Sequence, residues 1–269
     1  MFLLKTRLQL CLSIALLACV SHATAHTNAP FTSPIANPYE ARIGSMYQVE
    51  PQKLRLDIGT QLECLSGAGF DTAATWSAGV GFQTWTRLRA ETNFKFPVET
   101  VDYWFGVYGM YGSATSWHVR ARIAHISSHL VDGLANRTGV LSPTPFVFSR
   151  EFVELLGGYS FGVLRPYAGT TVVWSSIPDA PNSWIPQGGV DIRMSINSDW
   201  TLAGGYDVKL VGILGTYSAV HAAQLGIQRD LMHETALWLG LYGYHGRSMH
   251  GMFYTGHDSY VSLGFQILW

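Results

Sequence analysis

The last twelve residues of the chain, DSYVSLGFQILW, alternate in polarity. Ser259, Val261, Leu263, Phe265, Ile267 and Trp269 occupy one face, and Asp258, Tyr260, Ser262, Gly264 and Gln266 the other. Successive side chains of an extended strand point to opposite sides, so this segment reads as a strand with one apolar and one polar face. The pattern recurs upstream. Leu54, Leu56, Ile58 and Leu62 oppose Lys53, Arg55, Asp57 and Glu63; Val190, Ile192, Met194 and Ile196 oppose Asp191, Arg193 and Ser195. Trp200, Leu202, Tyr206 and Val208 oppose Thr201, Asp207 and Lys209. A chain made of such strands must form a sheet, and a sheet leaves unpaired edges unless it closes on itself.

Composition decides what the apolar face meets. Charged residues make up 13% of the chain, about half the share of a soluble domain. In a membrane barrel the apolar face meets lipid, the charges line the interior, and closure satisfies every backbone group. At the N-terminus, Lys5 and Arg7 precede an apolar run from Leu8 to Val20, and Ala23-Thr24-Ala25 offers small residues for cleavage. That is the pattern of an export signal covering residues 1–25. The longest stretch free of formal charge, Leu210 to Gln228, is broken by Gly-Thr-Tyr-Ser and reads as two strands meeting at a turn rather than a membrane helix. A formal charge of -1 with 17 Lys and Arg residues gives no basic surface for nucleic acid.

The alternating terminal segment, closed by an aromatic residue, resembles the C-terminal assembly signal of bacterial outer-membrane β-barrels. That likeness implies recognition of Phe265 and Trp269 by the outer-membrane assembly machinery. Counting back from a periplasmic C-terminus, short links fall near 230–233, 197–198, 162–164 and 113–114, and long ones at 245–257, 176–184 and 132–145. Segments near 101–111, 87–96, 76–83 and 53–63 complete the count. The expectation is an all-β fold, an antiparallel transmembrane β-barrel of about twelve strands over residues 52–269, with 26–51 as a periplasmic lead-in and the bacterial outer membrane as its location. Interior charges of both signs, Arg55 with Asp57, Arg87 and Arg89 with Glu91, Asp191 with Arg193 and Asp207 with Lys209, predict pairing inside the lumen rather than a selective channel.

One strand ends differently from the rest. In SWHVRARIAHISSHLVD, the face carrying Trp117, Val119, Ala121 and Ile123 continues into His125, Ser127 and His129, while His118, Arg120 and Arg122 face the other way. Residues two apart on one face lie about 7 Å apart at Cα. That brings an imidazole and a hydroxyl within reach, and a base beside a hydroxyl is the minimal apparatus for acyl transfer once a carboxylate orients the base. Glu151 and Glu154 on the following strand are the candidates for that carboxylate, and each also suits a lumenal pairing with Arg120 or Arg122. His129 and Arg150 flank the group as lipid-binding candidates. Polar residues are also ordinary at headgroup depth, where such a run can simply hydrogen-bond lipid. His245, His250 and His257 fall in one loop region, but their spacing matches no tight metal motif. No metal or other cofactor is implied.

The blocks PIANPYEAR, HISSHLVD, SRE and GRSMHGMFY, in this order, resemble an uncharacterised bacterial outer-membrane barrel family catalogued as domain of unknown function 1207. Separately, His-x-Ser on an outward strand is similar to the PagL-type lipid A deacylases, whose Ser-His-Glu triad faces the outer leaflet. That likeness implies His125 as base, Ser127 as nucleophile and an outer-membrane lipid or lipopolysaccharide as substrate, with Glu151 placed first as the third member. The competing class is a non-enzymatic scaffold or narrow pore.

Overall fold

A computed structural model describes residues 31–70, 73–113, 115–135, 139–231 and 235–268. The expected signal peptide and Trp269 lie outside the described residues. Twelve strands close into one antiparallel barrel: β1 (Ile43–Gln48), β2 (Lys53–Ala68), β3 (Thr75–Arg89), β4 (Val98–Gly112), β5 (Trp117–Leu130), β6 (Phe148–Tyr159), β7 (Leu164–Ile177), β8 (Trp184–Ser195), β9 (Trp200–Ile213), β10 (Thr216–Asp230), β11 (Ala236–Arg247) and β12 (His257–Leu268). Each strand pairs with its sequence neighbours, and β1 closes the cylinder on β12 through Ile43↔Ile267 to Gln48↔Ser262. Closure leaves no edge, which is what lets strands cross lipid. No helix among the described residues is long and apolar enough to cross a membrane.

The alternation of the sequence becomes an inside and an outside. On β5, Trp117, Val119 and Ile123 are exposed, whereas His118, Arg120 and Arg122 are buried in the lumen. Between β9 and β10 the chain reverses at Leu214-Gly215, both with positive φ (50° and 83°). A two-residue hairpin that follows the right-handed strand twist needs that conformation, and glycine adopts it without steric cost. One end of the barrel carries the loops 131–147 and 248–256, and is called here the loop end. The other carries the turns 113–116, 160–163 and 196–199.

Two boundaries differ from the sequence reading. Residues 87–96 are not a strand of their own, because β3 runs unbroken from Thr75 to Arg89 and a 3-10 turn occupies Thr92–Phe94. Toward the end of β3 Trp85 points inward and is fully buried while Thr84 lies on the opposite face. The apolar and polar sides therefore appear exchanged there, and one strand looks like two. The twelfth strand is β1, within the segment expected to be a lead-in. The barrel thus begins at Ile43.

Residues 31–42 run through the lumen. Tyr39 packs edge-on to Trp85 with ring centroids 5.2 Å apart. Arg42 donates to the Asn37 carbonyl at 2.5 Å, and the Ile35 amide donates to Asp191 at 3.0 Å. Buried Glu40 accepts from both nitrogens of the Arg120 fork. This plug separates a cavity of about 440 Å³, which Glu40 and Arg42 line, from one of about 90 Å³ toward the loop end, which Tyr39 lines.

The lumenal charges pair, as expected, but not always with the expected partners. Arg55 with Asp57, Arg89 with Glu91 and Lys209 with Asp207 are ion pairs at 2.7, 2.9 and 2.7 Å. Arg87 instead takes Glu99 on β4 at 2.8 Å, and Asp191 takes Arg165 on β7, leaving Arg193 to donate to Gln228. In both cases the neighbouring strand offered the opposite charge at closer range than the expected partner did.

A candidate active site on the outward face

The register of β5 and β6 sets His125 opposite Glu151 and Ser127 opposite Ser149. All four lie on the outward face, so the group presents itself to the surroundings of the barrel. His125 Nδ1 and Glu151 Oε1 are 2.8 Å apart, with the two side chains 27% and 31% exposed. Ser149 Oγ donates to the same carboxylate oxygen at 3.1 Å. An ionised carboxylate only accepts, so it fixes Nδ1 as the protonated nitrogen and leaves Nε2 as the base. Phe105 on β4 packs against the imidazole, ring centroids 4.8 Å apart, and limits its rotation. Between β6 and β7 the register shifts at Glu151/Phe152. A bulge of this kind re-aims side chains, and here it sits beside the carboxylate.

The structure separates residues that the sequence left together. Glu154, the other candidate carboxylate, lies inside: it accepts from Arg122 at 2.6 Å and from Arg120 at 3.0 Å and is buried. Glu151 is the one that meets His125. His129 shares the outward face but sits further toward the loop end, its ring 5.7 Å from that of Tyr103. Arg150 turns inward, its guanidinium 4.9 Å from the Phe148 ring and facing the smaller lumenal cavity. It is therefore across the wall from His125 and Ser127. Alternation along β6 dictates this, since residues 150 and 151 cannot share a face.

Ser128, the neighbour of Ser127, also points inward and donates to Asp102. The other Asp102 contacts come from the loop 248–256: His250 Nδ1 at 2.6 Å and the Gly251 amide at 2.8 Å. Buried His250 thus anchors that loop to the barrel wall, while His245 and His257 stay together outside, their rings 4.6 Å apart. The Asp102 cluster was missed in the sequence. Its only signal was that Ser128 fell on the charged face of β5.

Inside, Glu40 is the electrostatic centre. Burial pushes its carboxyl up, but the guanidiniums of Arg120 and Arg122 outweigh that and hold it well below the ordinary carboxylate range. Burial pushes the Tyr39 phenol up to about 12.

A closed antiparallel barrel with an apolar exterior and a paired, charged lumen defines a barrel of the bacterial outer-membrane kind. Residues 72–268 match the family model described as protein of unknown function (DUF1207), and the chain belongs to that family. No curated protein matches it. Among solved structures it is similar to outer membrane phospholipase A from Escherichia coli, with 13% identity over 93% of this chain and 97% of that one and a TM-score of 0.52. An active-site mutant of that phospholipase gives 14% identity, coverage of 93% and 97%, and a TM-score of 0.53. The beta domain of the Bordetella autotransporter BrkA gives 12% identity, coverage of 84% and 96%, and a TM-score of 0.45. At these identities the likeness is one of fold.

Proposed function

We propose that this barrel sits in the bacterial outer membrane and hydrolyses an ester-linked acyl chain of outer-leaflet lipid. The observation that carries the reading is the 2.8 Å contact between His125 Nδ1 and Glu151 Oε1 on the lipid face, two residues from the Ser127 hydroxyl on the same strand. His125 Nε2 takes the Ser127 proton as Oγ attacks the ester carbonyl. The tetrahedral intermediate collapses, the C–O bond to the lipid breaks, and the leaving oxygen takes the proton back from the imidazole. Water, deprotonated in turn by His125, then cleaves the acyl-enzyme and releases the fatty acid. Placement toward the loop end sets the group at the depth of outer-leaflet ester bonds if that end faces outward. The fold shared with a phospholipase is in keeping with this reading.

A plugged scaffold is the second reading, favoured by a lumen filled with residues 31–42 and paired charges. Detergent-folded protein mixed with lipid A or phospholipid separates the two. Fatty acid found by mass spectrometry supports the hydrolase; no release from either lipid leaves the scaffold.

A further inference from the structure

Most of the buried cations of the lumen have a carboxylate partner: Arg42 and Arg55 with Asp57, Arg87 with Glu99, Arg120 and Arg122 with Glu40 and Glu154, Arg165 with Asp191, Lys209 with Asp207. Arg150 is different. Among the described residues no carboxylate forms an ion pair with it, and although the residue is half-buried its Nε is buried with no hydrogen-bond partner. The Phe148 ring lies 4.9 Å from its guanidinium, and Tyr39, Tyr254 and Asp102 are near enough to act on its charge without a hydrogen bond or ion pair to it among the described residues. A guanidinium held in apolar surroundings is costly unless something anionic meets it.

What Arg150 faces is a cavity of about 90 Å³ whose wall includes Ile126, Phe152, Val173, Ile185 and Val211. The other cations on that wall are accounted for: Arg122 and Lys209 are in ion pairs, and Arg247 donates to the Thr255 carbonyl at 3.0 Å. The one carboxylate on the wall, Glu154, is taken by Arg120 and Arg122, so the guanidinium and the apolar side chains together describe a ligand with one anionic end and a short hydrocarbon body. A planar carboxylate matches the guanidinium fork with two parallel hydrogen bonds. The volume admits a few methylene groups rather than a drug-sized body.

We infer that the lumen holds a binding site for a short-chain carboxylate, with the carboxylate on Arg150 and the hydrocarbon against Phe152, Val173 and Val211. The site is inside the barrel, across the wall from His125, and does not depend on the hydrolase reading.

Titration calorimetry of the full chain in dodecyl maltoside tests it with sodium hexanoate, hexanamide and inorganic phosphate. Hexanoate is expected to bind saturably, with hexanamide and phosphate at least tenfold weaker. Arg150→Gln should weaken hexanoate tenfold or more, and Val173→Phe, which fills the cavity and keeps the charge, should do the same. Equal binding of hexanamide would show an apolar hole with no anion site. Equal binding of phosphate would show an anion site with no place for a hydrocarbon. Either result overturns the inference, as does unchanged hexanoate affinity in Arg150→Gln. If that variant fails to fold, the wild-type comparison and Val173→Phe decide. Ser127→Ala should bind hexanoate as wild type does, which keeps this test separate from the one on hydrolysis.

Discussion

Arg120 and Glu40, 80 residues apart in the chain, meet inside the barrel through two hydrogen bonds, Nη1 to Oε2 at 2.7 Å and Nη2 to Oε1 at 2.6 Å. One partner belongs to the wall and the other to the plug. Breaking a buried pair leaves an uncompensated charge and costs about 3 kcal/mol or more. Glu40→Gln should therefore lower barrel stability by about that amount, read as a lower urea midpoint in detergent. An unchanged midpoint would show that the plug is held by its packing against Trp85 instead.

The same pair makes stability fall in acid. Glu40 is held below the ordinary carboxyl value of 4.5 by Arg120 and Arg122, which outweigh its burial. A depressed folded pKa contributes stability that is fully present above the unfolded value and is lost as pH falls through the folded one. Wild type should thus lose thermal stability progressively below about pH 4.5, and Glu40→Gln should lose less over the same range. Parallel curves for the two proteins would remove Glu40 from the acid response.

Conductance follows from the plug. Tyr39, Glu40 and Arg42 separate the two lumenal cavities, so purified wild type in planar bilayers should pass little or no steady current. Removing residues 31–42 joins the cavities and should produce stable open steps. Large steps from wild type would move the protein to the pore class.

Much of the barrel was legible because its strands keep one period. The β5 faces, and the lumenal pairs Arg55–Asp57 and Lys209–Asp207, follow from spacing along a single strand. Arg87 with Glu99 and Asp191 with Arg165 do not, because they depend on which strands adjoin and in what register. β1 is six residues long, too short to stand out, and the plug before it has no period at all. Glu151 was placed ahead of Glu154 by the resemblance and not by the strand pattern, for a related reason. Phe152 and Leu156 point into the lumen, so apolar residues lie on both faces of β6 and polarity alone does not mark the inside.

The outward group gives the sharpest test. Ser127→Ala removes the hydroxyl with little change in volume, and His125→Asn removes the base. If the two act as a unit, either should cut fatty acid release roughly a thousandfold or more. Glu151→Gln keeps the shape but offers an amide where His125 needs an acceptor, so it should lower release roughly a hundredfold or more by freeing the imidazole to the wrong tautomer. Glu154→Gln should act differently, lowering stability through Arg122 while the rate per folded molecule stays near wild type. Ser128→Ala serves as the matched control. It removes the adjacent hydroxyl, but that hydroxyl points into the lumen toward Asp102, so release should be retained. If Ser127→Ala is as active as wild type, Ser127 is not the nucleophile. If Ser128→Ala is as inactive as Ser127→Ala, the wall between lumen and lipid does not separate their roles, and the hydrolase reading fails on its own geometry.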